Sequence, residues 1–171
     1  MSVRRLRTAL SGALLVVGLC AGLVAQVDGT AAAAGQQWSG RYTMVTYAAQ
    51  KSGTSAAAKQ PEADFSAVFV FATACTTAAC VATVVDGPAP SNPTIPQPQR
   101  YIWDGAKWAV TYDWQWECFR GDGTPRVYSS ATSWVYYAPQ PDGTLRGSWY
   151  TDIADGPCRG SVMMPVAAAP A

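Results

Sequence analysis

The sequence predicts an all-β fold, a single antiparallel meander of seven to eight strands closed as a small barrel or folded as a β-sandwich and stapled by two disulfides. Three observations predict it. From Ala106 to Phe119, AKWAVTYDWQWECF, apolar and polar residues alternate with period two, which places Trp108, Val110, Tyr112, Trp114, Trp116 and Cys118 on one face of a strand. Asp-Gly pairs begin at 86, 104, 122, 142 and 155, where one apolar run stops and another starts, so turns recur at strand-length intervals. No segment beyond the N-terminal 34 residues shows a helical apolar period.

The chain opens with MSVRRLR, a basic stretch followed by an uncharged apolar run from Thr8 to Ala25 and a small-residue segment from Thr30 to Gly35, the pattern of a secretory signal peptide. Residues 1–34 are read as that signal, cleaved after Ala34, with Ala25 as an alternative site. An uncleaved anchor is the competing reading, disfavoured because Gly12, Gly18 and Gly22 interrupt a run barely long enough to span. Leu19 precedes Cys20 where a lipoprotein signal needs a small residue. Residues 35–165 then form one secreted domain and residues 166–171 a flexible Ala/Pro tail. Export by this route leaves the protein secreted or at the cell surface, with no integral membrane span once the signal is removed.

Without residues 1–34 the chain keeps nine Lys/Arg against ten Asp/Glu, so its charge gives no reason to bind nucleic acid or an anionic membrane. Four cysteines remain, Cys75, Cys80, Cys118 and Cys158. In an exported domain they read as two disulfides, and of the three pairings Cys75–Cys80 with Cys118–Cys158 is favoured. The first pair brackets a short turn between strand-like runs, and Cys118 sits on the apolar face of the long strand. A metal site would need all four thiolates, since the chain has no histidine. No metal or cofactor is expected.

In chain order, Gln36 to Ala48 reads as the first strand, with Trp38 packing across one end, and Ala49 to Ala63 as a mobile loop or a short, poorly held helix. Asp64 to Ala74 is apolar on both faces, as in a central strand, and Val81 to Val85 is its hairpin partner across the cysteine turn. Five prolines between Pro88 and Pro98 forbid a ladder and favour an extended excursion. Tyr101-Ile102-Trp103 leads through Asp104-Gly105 into the long strand, which at about 3.3 Å per residue should bend or bulge. Arg126 to Tyr137, Thr144 to Ile153 and Cys158 to Val162 are the remaining strands.

The chemistry available is narrow. The absence of histidine removes every Ser–His or Cys–His arrangement, and no nucleophile elbow, P-loop or dinucleotide fingerprint occurs. Asp113 and Glu117 share the polar face of the long strand, but four residues of strand separate them by about 13 Å, beyond either glycosidase geometry. No catalytic residue is assigned, and a carboxylate-dependent hydrolase of envelope polysaccharide stands only as an alternative to a non-catalytic binding module. Aromatic side chains are the candidate binding residues: Trp108, Tyr112, Trp114 and Trp116 on the long strand, which alternation also suits to the core, and Trp134 and Tyr136. With Tyr137 following at once, at least one of that last group must face outward. Arg120-Gly121-Asp122 spells an adhesion tripeptide, yet it sits in a turn-rich RGDGT stretch.

These residues carry a resemblance. Gly40 and Tyr42 in the first strand, Cys80-Val81-Ala82, Trp103 and Trp108 across a turn, Cys118 followed by a turn to Gly123, Gly143-x-Leu145-x-Gly147-x-Trp149, and Gly156-x-Cys158-x-Gly160 with a proline soon after form the pattern. In these the chain resembles the small secreted or surface β-domain proteins of mycobacteria and related actinobacteria. That group is similar to domains that follow transmembrane segments in some of their serine/threonine kinases. The resemblance spans most of residues 36–165 and implies location and fold, with no residue role to carry over. The partner expected is an envelope lipid, glycan or protein; a passive surface protein without a ligand is a further alternative.

Overall fold

The computed structural model describes residues 37–171, so the signal reading of residues 1–34 and Cys20 falls outside the described residues. Eight strands follow one another: β1 (Gly40–Thr46), β2 (Phe65–Cys75), β3 (Cys80–Asp86), β4 (Arg100–Trp103), β5 (Trp108–Cys118), β6 (Val127–Pro139), β7 (Leu145–Ile153) and β8 (Gly160–Pro170). Each pairs antiparallel with the next, and β8 returns to β1, closing a barrel. Closure decides between the two all-β architectures, because a sandwich would leave edges that this barrel joins.

Alternation along each strand sorts the walls. On β6, Ser129, Ala131, Ser133, Val135 and Tyr137 are buried while Tyr128, Ser130, Thr132 and Trp134 are exposed. Small inward residues sit opposite large ones, as at Ala131 facing Trp114 in the β5–β6 register. Gly147 of β7 lies so close to β6 that a Cβ there would stand 1.7 Å from the Tyr136 carbonyl oxygen. Four of the five Asp-Gly pairs lie in hairpin turns, and the fifth, Asp86-Gly87, opens the long segment between β3 and β4. Gly105, at φ 103°, takes a left-handed conformation between β4 and β5, and the Asp104 side chain caps the turn by accepting from the Ala106 and Lys107 amides.

Two apolar clusters hold the interior. The first gathers around Trp38, 1% exposed, whose ring stacks on Phe71 at 4.1 Å and packs against Tyr101, Tyr137 and Trp108. The second, at the opposite end, contains Ala131, Ile153, Val162, Met164 and the Cys118–Cys158 disulfide. Both disulfides are the favoured pairs, Cys75–Cys80 joining the ends of β2 and β3.

Four features differ from the sequence reading. The long strand β5 pairs with β6 in unbroken register over eleven residues, and the bulge falls instead between Val70 and Phe71, where β2 meets β3. In a closed barrel the register shift is taken where the wall must turn. Strand β2 has one buried and one open face, Val68 being 37% exposed, because a barrel has no doubly covered centre. The segment expected to be mobile makes two 3₁₀ turns, Ala48–Gln50 and Ala56–Lys59, whose Ala48, Ala57 and Ala58 stop the end of the second cluster. There Ser55, fully buried, donates to the Cys158 carbonyl at 2.6 Å and accepts from the Ala57 amide. Residues 166–170, expected to fray, complete β8 between β7 and β1, with Val166 and Ala168 turned into the core. An Ala/Pro run has little side-chain entropy to lose, and closure supplies it with two partner strands.

Candidate functional site

Beside the first cluster the interior is not packed solid. A cavity of about 320 Å³ lies between the barrel wall and the proline-rich segment 87–99. Its sides are Met44 of β1 and Ala67 and Phe69 of β2, its floor is made by Tyr101, Tyr112 and Tyr137, and Pro88, Pro90 and Ile95 cover it. No charged side chain lines it. That size falls at the lower end of the roughly 300–1,000 Å³ typical of small-molecule sites, and the apolar lining with a few polar groups is also typical of them.

The cover is a strap with a defined attachment. Strand β4 is short, and its ladder with β5 ends after Trp103↔Trp108 and Ile102↔Ala109. Beyond that point the strap takes over at Gln115. The Asn92 side-chain amide donates to the Gln115 carbonyl at 2.8 Å, and the Gln115 amide donates to the Thr94 hydroxyl at 3.0 Å. Asn92 further fixes Thr94 by accepting from its amide and hydroxyl. At the start of the strap, Gly87 stands where a Cβ would meet the Phe69 ring at 2.3 Å, so ring and strap lie in direct contact. The five prolines thus span a seam in the barrel wall.

Under the floor lies a polar knot. The Ser133 hydroxyl, wholly buried, accepts from the indoles of Trp114 at 2.9 Å and Trp149 at 3.1 Å, and sits 2.8 Å from the Thr151 hydroxyl. The Tyr112 hydroxyl also reaches Ser133, while burial pushes its pKa up to about 12. Burial likewise raises Tyr101 and Tyr137, each with a neighbouring phenol adding to the shift. All three phenols are therefore neutral hydrogen-bond donors at physiological pH.

Of the candidate binding aromatics, Tyr112 lines the cavity. Trp108 is 1% exposed and belongs to the first core cluster, while Trp114 and Trp116 pack as a tilted pair, centroids 5.4 Å apart, against the second. Trp134 and Tyr136 stand on the outer wall, their centroids 5.1 Å apart with the Lys107 ammonium about 6 Å over both rings. Tyr137, which follows Trp134 and Tyr136 in the sequence, turns inward and lines the cavity. Nothing in the sequence marks Met44, Phe69, Tyr101 or Trp149 as binding residues beyond apolar strands meeting a proline-rich segment too long for a tight turn. Asp113 accepts from Thr132 and Glu117 pairs with Arg126 at 2.7 Å, and neither lines the cavity. Arg120 and Asp122 are exposed in the β5–β6 turn. Among the described residues no group of three or more His, Cys, Asp or Glu is arranged to hold a metal, and no helix is long and apolar enough to cross a membrane.

Fold and cavity together define a closed eight-stranded antiparallel β-barrel with an apolar cavity beneath a proline-rich strap. Residues 35–171 match the family of the PknI serine/threonine-protein kinase sensor domain, and the chain belongs to that family. Among solved structures, the monomer form of the M. tuberculosis PknI sensor domain superimposes with a TM-score of 0.54 at 16% identity, covering 78% of this chain and 86% of that one. The dimer form of that domain is matched at 21% identity with a TM-score of 0.47, over 64% of this chain and 73% of the other. No curated protein sequence matches the chain.

Proposed function

We propose that this chain is an exported sensor-type module, secreted or held at the cell surface, that takes a small apolar envelope lipid in the cavity beneath the proline strap. The single observation that carries the reading is the cavity of about 320 Å³ with no charged side chain in its lining. Such a lining favours an acyl chain over a glycan, whose hydroxyls would go unpaired against Met44, Phe69 and Val84. Kinship with a kinase sensor domain supports binding without catalysis.

Trp149 lines the cavity, so intrinsic fluorescence should report occupancy. Titration of the disulfide-intact chain with short-acyl envelope lipids should change Trp emission saturably. Ala67→Phe, which projects a ring into the cavity, should weaken binding at least tenfold with little change in Tm. No response to any lipid, or full affinity in Ala67→Phe, would remove the proposal. The outer Trp134–Tyr136 pair with Lys107 favours a second reading, a glycan stacked on the wall; a saccharide response lost in Trp134→Ala and kept in Ala67→Phe would select it.

A further inference from the structure

The hydrogen-bond inventory of the cavity floor says more about its occupant than volume does. A serine hydroxyl has two acceptor lone pairs and one proton. At Ser133 the two indole donors, Trp114 and Trp149, use both lone pairs. The one proton of Ser133 then serves either Thr151, 2.8 Å away, or Tyr112. In either arrangement the Tyr112 hydrogen finds no acceptor on Ser133. Tyr112 faces the cavity, so its proton is left for whatever the cavity holds. Tyr101 and Tyr137 are almost wholly buried and line the same floor. Three phenols line one apolar space with no cation beside them.

We infer that the cavity is selective for an uncharged, mainly apolar molecule bearing one carbonyl acceptor, such as a short acyl ester, whose carbonyl oxygen receives the Tyr112 hydroxyl with Tyr101 and Tyr137 flanking it. A hydrocarbon leaves buried donors without an acceptor, which is the costlier side of the hydrogen-bond balance. A carboxylate or an ammonium brings a charge into a space with no counter-ion. The inference rests on the cavity being the ligand site and adds the chemistry it selects.

The test uses four probes of one chain length on the full, disulfide-intact protein: methyl decanoate, decane, decanoate and decylammonium, each measured by Trp fluorescence and by calorimetry. Methyl decanoate should bind most tightly, with the other three weaker by roughly tenfold or more. Tyr112→Phe should lower affinity for the ester by roughly five- to tenfold and leave decane unchanged, with a matched Tm showing that the barrel is intact. Equal binding of decane and the ester, or an ester affinity indifferent to Tyr112→Phe, would overturn the acceptor selectivity while leaving the cavity as the site. Tighter binding of decanoate or decylammonium would overturn the neutral-ligand requirement. Failure of all four to bind would overturn both the inference and the cavity reading beneath it.

Discussion

Ser133 is the residue on which the interior polar groups turn. It is a small hydroxyl set among bulky indoles, and its position opposite Tyr112 in the β5–β6 ladder brings it under the cavity floor. Ser133→Ala would leave the Trp114 and Trp149 N–H groups without their acceptor, and each orphaned donor costs about 1–3 kcal/mol. The variant should therefore lose about 2–6 kcal/mol in urea unfolding, against well under 1 kcal/mol for an exposed control such as Ser130→Ala. At this scale the sequence is legible by parity. Alternation put Tyr112 and the indoles on one face, and they do share it. It does not distinguish a ring that fills the core, such as Trp108, from one that borders a cavity, such as Tyr112, because both occupy even positions of one strand. That distinction depends on what stands across the barrel, and the residues there come from β1 and β2, some 40–70 positions away in the chain.

The two disulfides act on different elements. Cys75–Cys80 crosslinks a hairpin that its own ladder already holds, over a sequence separation of 5. Cys118–Cys158 ties the end of β5 to the entry of β8 across a separation of 40, inside the second cluster. On the chain-entropy account the first contributes about 2 kcal/mol and the second about 4 kcal/mol. The double variant Cys118→Ala/Cys158→Ala should thus lower stability roughly twice as much as Cys75→Ala/Cys80→Ala, as read by chemical denaturation. Both pairings were legible, because Cys75 and Cys80 flank a short turn and Cys118 lies on the buried face. The alanine-rich 3₁₀ segment was not. Its composition lacks a period, and it is ordered by contacts from far along the chain, Ser55 with Cys158 and Ser52 with Met163.

Closure belongs to the whole molecule. A meander with short turns was readable strand by strand, but barrel and sandwich differ only in whether the last strand finds the first. The answer lies in the least informative part of the sequence, the Ala/Pro run after Met164. Residues 166–170 pair with Thr46 to Tyr42 on one side, and 166–168 pair with Gly147 to Leu145 on the other, so their removal exposes two edges at once. A chain ending at Pro165 should lose cooperative thermal unfolding and bind a dye for exposed apolar surface, whereas deleting Ala171 alone should change neither.

The walls of the barrel are unequal. Between β5 and β6 eleven residue pairs run without interruption, while β4 and β5 share two. Small thermal excursions concentrate along the line with fewest rungs, and here that line is stitched by the side chains of Asn92 and Thr94. A guest could therefore pass by unfastening a strap while the rest of the cylinder keeps its shape. Loading would then register first as a change in the outward-facing 87–99 segment, the part of the domain that a neighbouring molecule can read without entering it.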